Sequence, residues 1–368
     1  MTNRGAVIYR TAQAPSPHLH WVPSLMIPGS AAMAPSITAA ATCTANAVES
    51  RLQAAGIELT LGGEPTYVPV HPEGAEWSVA ADGPTKLGYA HALADALQQR
   101  IWPDATLLFC TGKRFEGEVN PRWALRLIIA SAGGPLVRWP QRLDSRPRRP
   151  LQASAAPGLL AAIGMGLGCE LQPIALVDPR NPERQVWAAP LSHDEQHWQA
   201  LHWPLADEQR TLLPAPGPAG LRLPLQHFPD DVPRQVLTLE ITPQGWGLFL
   251  PPLDRLRLEQ LLAAIAAASA PWSEPELSGV LPLDTAGHWQ VLGITADPGV
   301  LEVNLPVCSC WREYANWLEW LEQAGAAVGL RSWQWRDGRQ MGTGGGNHLL
   351  WGGPVSYTHL RAHETGRN

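Results

Sequence analysis

The sequence predicts an α+β fold, an antiparallel sheet with packed helices, and three observations carry that prediction. Short apolar or alternating runs, each bounded by turn residues, come in pairs. Longer stretches with helical spacing fall between some of them. Strict strand–helix repeats are few, which argues against a wholly parallel sheet. The chain has 368 residues and is 45% apolar, enough to bury the core of one large domain or two medium ones.

The elements follow in order. Residues 1–47 are rich in Ala, Pro, Ser and Thr without a sustained period and read as a tail or linker. "IELTL" (Ile57 to Leu61) alternates like a half-buried strand and ends on Gly62-Gly63. "KLGYAHALADALQQRIW" sets Ala90, Leu93, Leu97 and Ile101 at helical spacing. "ATLLFCTG" and "ALRLIIAS" are short apolar runs between turn residues and read as strands. The stretch from about Gly133 to Pro233 is rich in Pro, Arg and Trp and gives no clear period. "QVLTLEI" and "WGLFLP" flank Pro243-Gln244-Gly245 as a hairpin would. "RLEQLLAAIAAASA" reads as a helix and "VLEVNLPV" as a strand. "CWREYANWLEWLEQAGAAVG" is an amphipathic helix that should stop near Gly325 or Gly329, and "HLLWGG" is a last strand. Five of the 17 tryptophans (Trp311, Trp317, Trp320, Trp333, Trp335) crowd this region as core or face-packing residues, or as a surface for a partner. Residues 355–368, "VSYTHLRAHETGRN", break in character with all that precedes. They read as adaptor-derived sequence, with the natural chain expected to continue past Pro354 and the 48–354 domain truncated.

Composition narrows the function. A net charge of −6 does not suit a nucleic-acid binder, and no apolar run approaches a membrane span. Five scattered cysteines make no disulfide framework, and the N-terminus lacks a secretory h-region, so a cytoplasmic protein is expected. Of 27 basic residues only two are lysine, Lys86 and Lys113. Either codon bias left them, or those positions need a compact ammonium of the kind that binds phosphate.

The chemistry gathers around "MGTGGGNHLLWGG" (Met341 to Gly353), where four glycines precede Leu349 with one asparagine and one histidine. No lysine stands near enough for a P-loop, and Asn347 occupies the third glycine position of a dinucleotide fingerprint. What remains is a turn that presents Asn347 and His348 to a metal or an anion, or a hairpin whose histidine is merely satisfied. "TLGGEPT" aims Glu64 from the end of a strand, and alternation puts Glu302 and Asn304 of "GVLEVN" on one face. Carboxylates with one histidine would hold Mg²⁺, which takes oxygen ligands and keeps room for phosphate oxygens. Lys86, Lys113 and Arg122 add the positive charge that an ATP-using transfer site needs.

The segments "GIELTLGGEPTYV", "GAEWSVAADGPTK", "GKRFEGEVNPRWAL", "GLRLPLQHFP", "ITADPGVLEVN" and "DGRQMGTGGGNHLLWGG" resemble, in order, the amidoligase domain of bacterial transglutaminase-like proteins. The likeness runs from about Val48 to Pro354. It implies a glutamine synthetase-like catalytic domain, related also to glutamate–cysteine ligase, that joins a carboxylate to an amine through an acyl-phosphate with ATP and Mg²⁺. By this resemblance Glu64 matches the first glutamate of the metal-binding strand, and His348 the first histidine of the metal-binding loop. Thr66 stands where that strand's second glutamate would fall, and Leu350 where the loop's second histidine would. With Glu302 from the strand alternation above, the expected metal ligands are Glu64, Glu302 and His348. Lys86, Lys113, Arg122, Gly344, Gly345, Gly346 and Asn347 are expected near ATP. A peptide or amino-acid carboxylate, an amine and a transglutaminase-like module are the expected partners. Three alternatives stand beside this reading. One is a catalytically inactive binding module. Another is thiol chemistry at Cys310, which opens a helix and could pair with His348. The last is half of a zinc site from Cys308 and Cys310.

Overall fold

The computed structural model describes residues 8–9, 34–111, 122–143, 147–194, 197–228 and 232–352. Lys113 and the 355–368 tail lie outside the described residues. Along the chain the elements begin with β1 (Ile8–Tyr9), α1 (Ala34–Ala54), β2 (Thr60–Glu64), β3 (Thr66–Pro69) and α2 (Lys86–Arg100). Next come β4 (Thr106–Thr111), β5 (Trp123–Ala130), α3 (Ala156–Leu167), β6 (Ile174–Val177), β7 (Gln185–His193) and β8 (Trp198–Ala200). They continue with β9 (Val236–Thr242), β10 (Gly245–Leu250), α4 (Arg255–Ser269), β11 (Glu276–Gly279), β12 (Trp289–Asp297) and β13 (Val300–Asn304). The last are α5 (Trp311–Ala327), β14 (Leu330–Arg331), β15 (Trp333–Arg336), β16 (Arg339–Gly342) and β17 (His348–Gly352). The fold is α+β. Helix α1 starts at Ala34, within the stretch read from sequence as a tail.

The chain forms two compact units, one from the described parts of Met1–Pro103, Gly112–Leu127 and Thr285–Asn368, the other from Asp104–Thr111 and Ile128–Asp284. In the first unit the strands run β14-β3-β13-β12-β5, with a three-stranded set β1-β17-β2. Alternation separates two faces. Leu292, Ile294 and Ala296 of β12, Leu301 and Val303 of β13 and Tyr67 of β3 are all buried. On this side α2 packs on β12, and α5 packs on α2 and β14. Gly63 and Gly325 let α5 come close: a Cβ at Gly63 would stand 2.9 Å from the Tyr314 ring, and one at Gly325 would stand 3.4 Å from the Tyr67 ring. The opposite face carries Thr66, Thr295, Asp297, Val300, Glu302 and Asn304. The strand expected at Ile57 begins instead at Thr60, which pairs with Gly352. Ile57 is 51% exposed, and its N–H is taken by the Leu52 carbonyl at 2.9 Å, closing the end of α1 instead of joining a ladder.

The second unit has strand order β4-β11-β10-β9-β7-β6, with β8 beside β7. The expected hairpin is there: β9 and β10 pair antiparallel around Pro243-Gln244, with Gly245 opposite Thr242. The sheet pairs mostly antiparallel, as expected, with two parallel neighbours in this unit: β10 runs parallel to β11, and β11 parallel to β4. Parallel neighbours need a crossover, and α4 supplies it between β10 and β11. Its start is fixed by Asp254, whose carboxylate accepts the Arg257 N–H at 3.0 Å. Helix α3 packs on α4 and ends on Gly168 in the left-handed region at φ 74°. Loops between β6 and β9 bury Trp203, Leu205, Leu212, Leu223 and Phe228 against Leu176, Val186 and Val236. That cluster accounts for the unread Pro- and Trp-rich stretch: its core is made by loop residues, whose burial leaves no period in the sequence.

Candidate metal centre

The centre starts from a proline. Strand β2 ends at Glu64 and β3 begins at Thr66, with Pro65 between them. Pro65 has no N–H to offer, so the β17 ladder, with His348 opposite Glu64, stops there. On the other side β13 runs through without a break. Val303 donates to the Pro65 carbonyl and Leu305 to the Gly63 carbonyl, both at 2.9 Å, and Glu302 lies opposite Thr66. Two ladders therefore meet at one residue, and each brings a polar pair to it. Glu64, Glu302 and His348 place one ligand atom each within 4.8 Å of one another. His348 Nδ1 and Glu64 Oε2 are hydrogen-bonded at 2.6 Å, and both side chains are partly exposed.

The neighbours orient these groups. Glu302 Oε1 accepts from Asn304 Nδ2 at 3.2 Å and from the Thr295 hydroxyl at 3.5 Å. Asn347 Oδ1 accepts the Thr66 N–H at 2.8 Å and the Thr66 hydroxyl at 3.0 Å, doing for Thr66 what β17 would have done had the ladder continued. Thr66 also bonds Thr343 Oγ1 at 2.6 Å, and Gln334 holds the Thr343 carbonyl at 2.7 Å. The glycine loop is thus laid flat on the sheet. Gly344 adopts φ 89°, where a side chain would be strained. A Cβ at Gly345 would stand 2.9 Å from both γ-carbons of Val300. Because Val300 is stiff at χ1, Gly345→Ala is expected to lift the loop, loosen Asn347 from Thr66 and weaken metal binding about tenfold, the range for residues that orient ligands. A Mn²⁺ titration checks this. Wild-type affinity in the variant would mean that the seating of the loop does not govern His348.

The donor set fits a hard divalent ion. Two carboxylate oxygens and one imidazole nitrogen span no more than about twice an ion–ligand distance of 2.0–2.6 Å, and an O-rich set suits Mg²⁺ or Mn²⁺.

The other residues singled out from the sequence are distributed differently. Arg122 pairs with Asp297, which shares its face of β12 with Thr295, so this cation stands on the same side of the sheet as Glu302. Lys86 is fully buried. Its ammonium donates to the carbonyls of Ala81 at 2.9 Å and Asp297 at 2.8 Å and lies 5.0 Å from the centre of the Trp77 ring. Burial holds its pKa down at about 8, against the upward pull of Glu76, Asp82 and Asp297. Glu76 accepts the Thr85 and Lys86 N–H groups and the Thr85 hydroxyl, capping α2. Burial pushes its carboxyl up, but those hydrogen bonds win and leave it below its usual value. The loop before α2 is thus pinned from both ends, and Lys86 is turned inward.

Cys310 is the N-cap residue of α5, while burial pushes the Cys308 thiol up to about 12, far from a nucleophile's range. Thr343, Thr295, Gln334 and Arg126 were not found from the sequence. Arg126 alone left a signal there, a charge inside the apolar run "ALRLIIA".

With the geometry in place, one comparison bears on it. The profile of a family described as "Putative amidoligase enzyme (DUF2126)" matches residues 38–177 and 226–359, more than half of the chain. No curated protein and no solved structure matched the chain.

Proposed function

The chain belongs to this amidoligase family, and from that premise we propose that it is an ATP- and Mg²⁺-dependent ligase joining a peptide or amino-acid carboxylate to an amine through an acyl-phosphate. The observation that carries the reading is the convergence of Glu64, Glu302 and His348 from three distant segments onto one face. Glu64, Glu302 and His348 would hold the ion, which when bound supplies positive charge against phosphoryl oxygens. Asn304 and Thr295 keep the Glu302 carboxylate turned to the site. Asn347 and Gly344–Gly346 form the floor on which the phosphates would lie, and the close contact of Gly345 with the sheet leaves their outer side open to a ligand. Arg122 and Lys113 are the proposed phosphate-side cations. A cytoplasmic setting agrees with cysteines that form no disulfide among the described residues, and no described helix is long and apolar enough to cross a membrane.

Thermal melting with and without ATP and Mg²⁺ tests the proposal. The expected result is a rise in melting temperature that needs both together, because a ligand bound only to the native state stabilises it. Glu64→Gln should lose the shift while its ligand-free melting temperature stays near the wild-type value. A folded wild type that shows no shift, or a variant that keeps the full shift, would sink the assignment.

A further inference from the structure

A second basic side chain lies on the face that carries the metal ligands. Strand β5 buries Trp123, Leu125, Leu127 and Ile129 on one side. Arg126 leaves from the other and extends over β12, the neighbouring strand. It crosses at Gly293. A Cβ there would collide with Arg126 Nη1 and stand 3.2 Å from Cζ, so the guanidinium occupies the space a side chain would need. Gly293 pairs with Asn304 across the β12–β13 ladder, and the same Cβ would be 3.4 Å from Asn304 Cβ. Asn304 in turn donates to Glu302. A short run of neighbours therefore links Arg126 to a candidate metal ligand.

We infer that Arg126, seated on Gly293, is a further anion-binding residue of this centre and receives an oxyanion of the metal-bound ligand. This rests on the metal reading above. The charges agree with it: a divalent ion offsets Glu64 and Glu302, and an anionic ligand then needs further positive charge close by. A guanidinium presents its donors as a planar fork that matches two oxygens of a phosphoryl group or of a carboxylate. Both oxyanions belong to the proposed reaction, so the test separates them. Gly293 is the positioning residue, since any larger residue would displace the fork.

The experiment uses the full chain as wild type, Arg126→Met, Arg126→Lys and Gly293→Ala, each first melted to confirm folding. Mn²⁺ alone is titrated by electron paramagnetic resonance. A non-hydrolysable ATP analogue, inorganic phosphate and acetate are then titrated onto the Mn²⁺-loaded protein. The expected result is Mn²⁺ affinity within about threefold of wild type in all variants. Analogue affinity should fall about tenfold or more in Arg126→Met and Gly293→Ala and less in Arg126→Lys. If phosphate shares that loss, the fork reads a phosphoryl group; if only acetate does, it reads the carboxylate substrate. Equal affinity for all three anions across the variants overturns the proposal. So does a parallel loss of Mn²⁺ itself, which would make Arg126 a structural partner of the ligands. If wild type takes no Mn²⁺, the metal reading fails separately. Phosphate titrated onto the metal-free protein then decides, because binding that depends on Arg126 keeps the anion site and binding that does not removes it.

Discussion

Glu302→Gln is expected to lower metal-dependent ATP turnover about a hundredfold or more while the ligand-free melting temperature changes by only a few degrees. The exchange keeps shape and volume but removes the anionic donor, and orienting residues alone account for 10–100-fold at metal sites. The fold should tolerate it. Glu302 is partly exposed, its backbone is held in the β12–β13 and β13–β3 ladders, and an amide oxygen can still accept from Asn304 and Thr295. Phosphate release and Mn²⁺ affinity, measured beside far-ultraviolet circular dichroism, check the two halves of the expectation. Thr295→Val should act in the same direction with a smaller effect, since it removes only long contacts, to the Glu302 carboxylate and to its backbone carbonyl, both at 3.5 Å. Turnover that survives in a folded Glu302→Gln protein would take Glu302 out of the ligand set.

Much of this site was legible because it depends on local rules. Period-two alternation in "VLEVN" put Glu302 and Asn304 on one face, and the structure has both there, hydrogen-bonded to each other. The hairpin at Pro243-Gln244 and helices α4 and α5 were legible for the same reason: turn residues and spacing are properties of neighbouring residues. What could not be read was long-range pairing. From sequence, "GGEPT" looked like a metal-binding strand with its second glutamate replaced by Thr66. In the fold Thr66 sits opposite Glu302 and anchors Asn347 and Thr343, so it holds the loop in place. That role depends on a partner 281 residues away. Lys86 misled in the opposite way. Its rarity suggested an accessible phosphate ligand, whereas the ammonium is buried on two carbonyls. The two parallel pairings of the second unit leave little local signal: "WGLFLP", α4 and the short β11 form a single strand–helix–strand step, and β11 meets β4 from a distant part of the chain.

The other large effect is expected in the second unit, where the unread stretch hides a buried ion pair. Arg222 grips Asp178 with two hydrogen bonds, 2.8 and 2.6 Å, at side-chain exposures of 2% and 0%. Arg184 lies 3.5 Å from Asp178 and 3.3 Å from Glu240. Removing Arg222 leaves the buried Asp178 carboxylate with only Arg184 at 3.5 Å and the Arg180 N–H, so Arg222→Met is expected to cost about 3 kcal/mol, the low end for breaking a buried pair from one side. Arg222→Met with Asp178→Leu should cost less than Arg222→Met alone, because the pair's own net worth is small once both desolvation penalties are gone. The pH dependence has a definite sign. The Arg222 guanidinium holds the Asp178 carboxyl down at about 2, from an ordinary 3.8. A carboxyl depressed by folding adds stability that is complete above pH 3.8 and is lost as pH falls through about 2. Urea midpoints for wild type and Asp178→Asn should therefore lie far apart at neutral pH and draw together between pH 4 and 2. A gap of constant size across that range would mean that the asparagine is penalised for its shape rather than for the missing charge. The placing of Arg222 would then be a packing requirement of the loop cluster around Trp203 and Phe228.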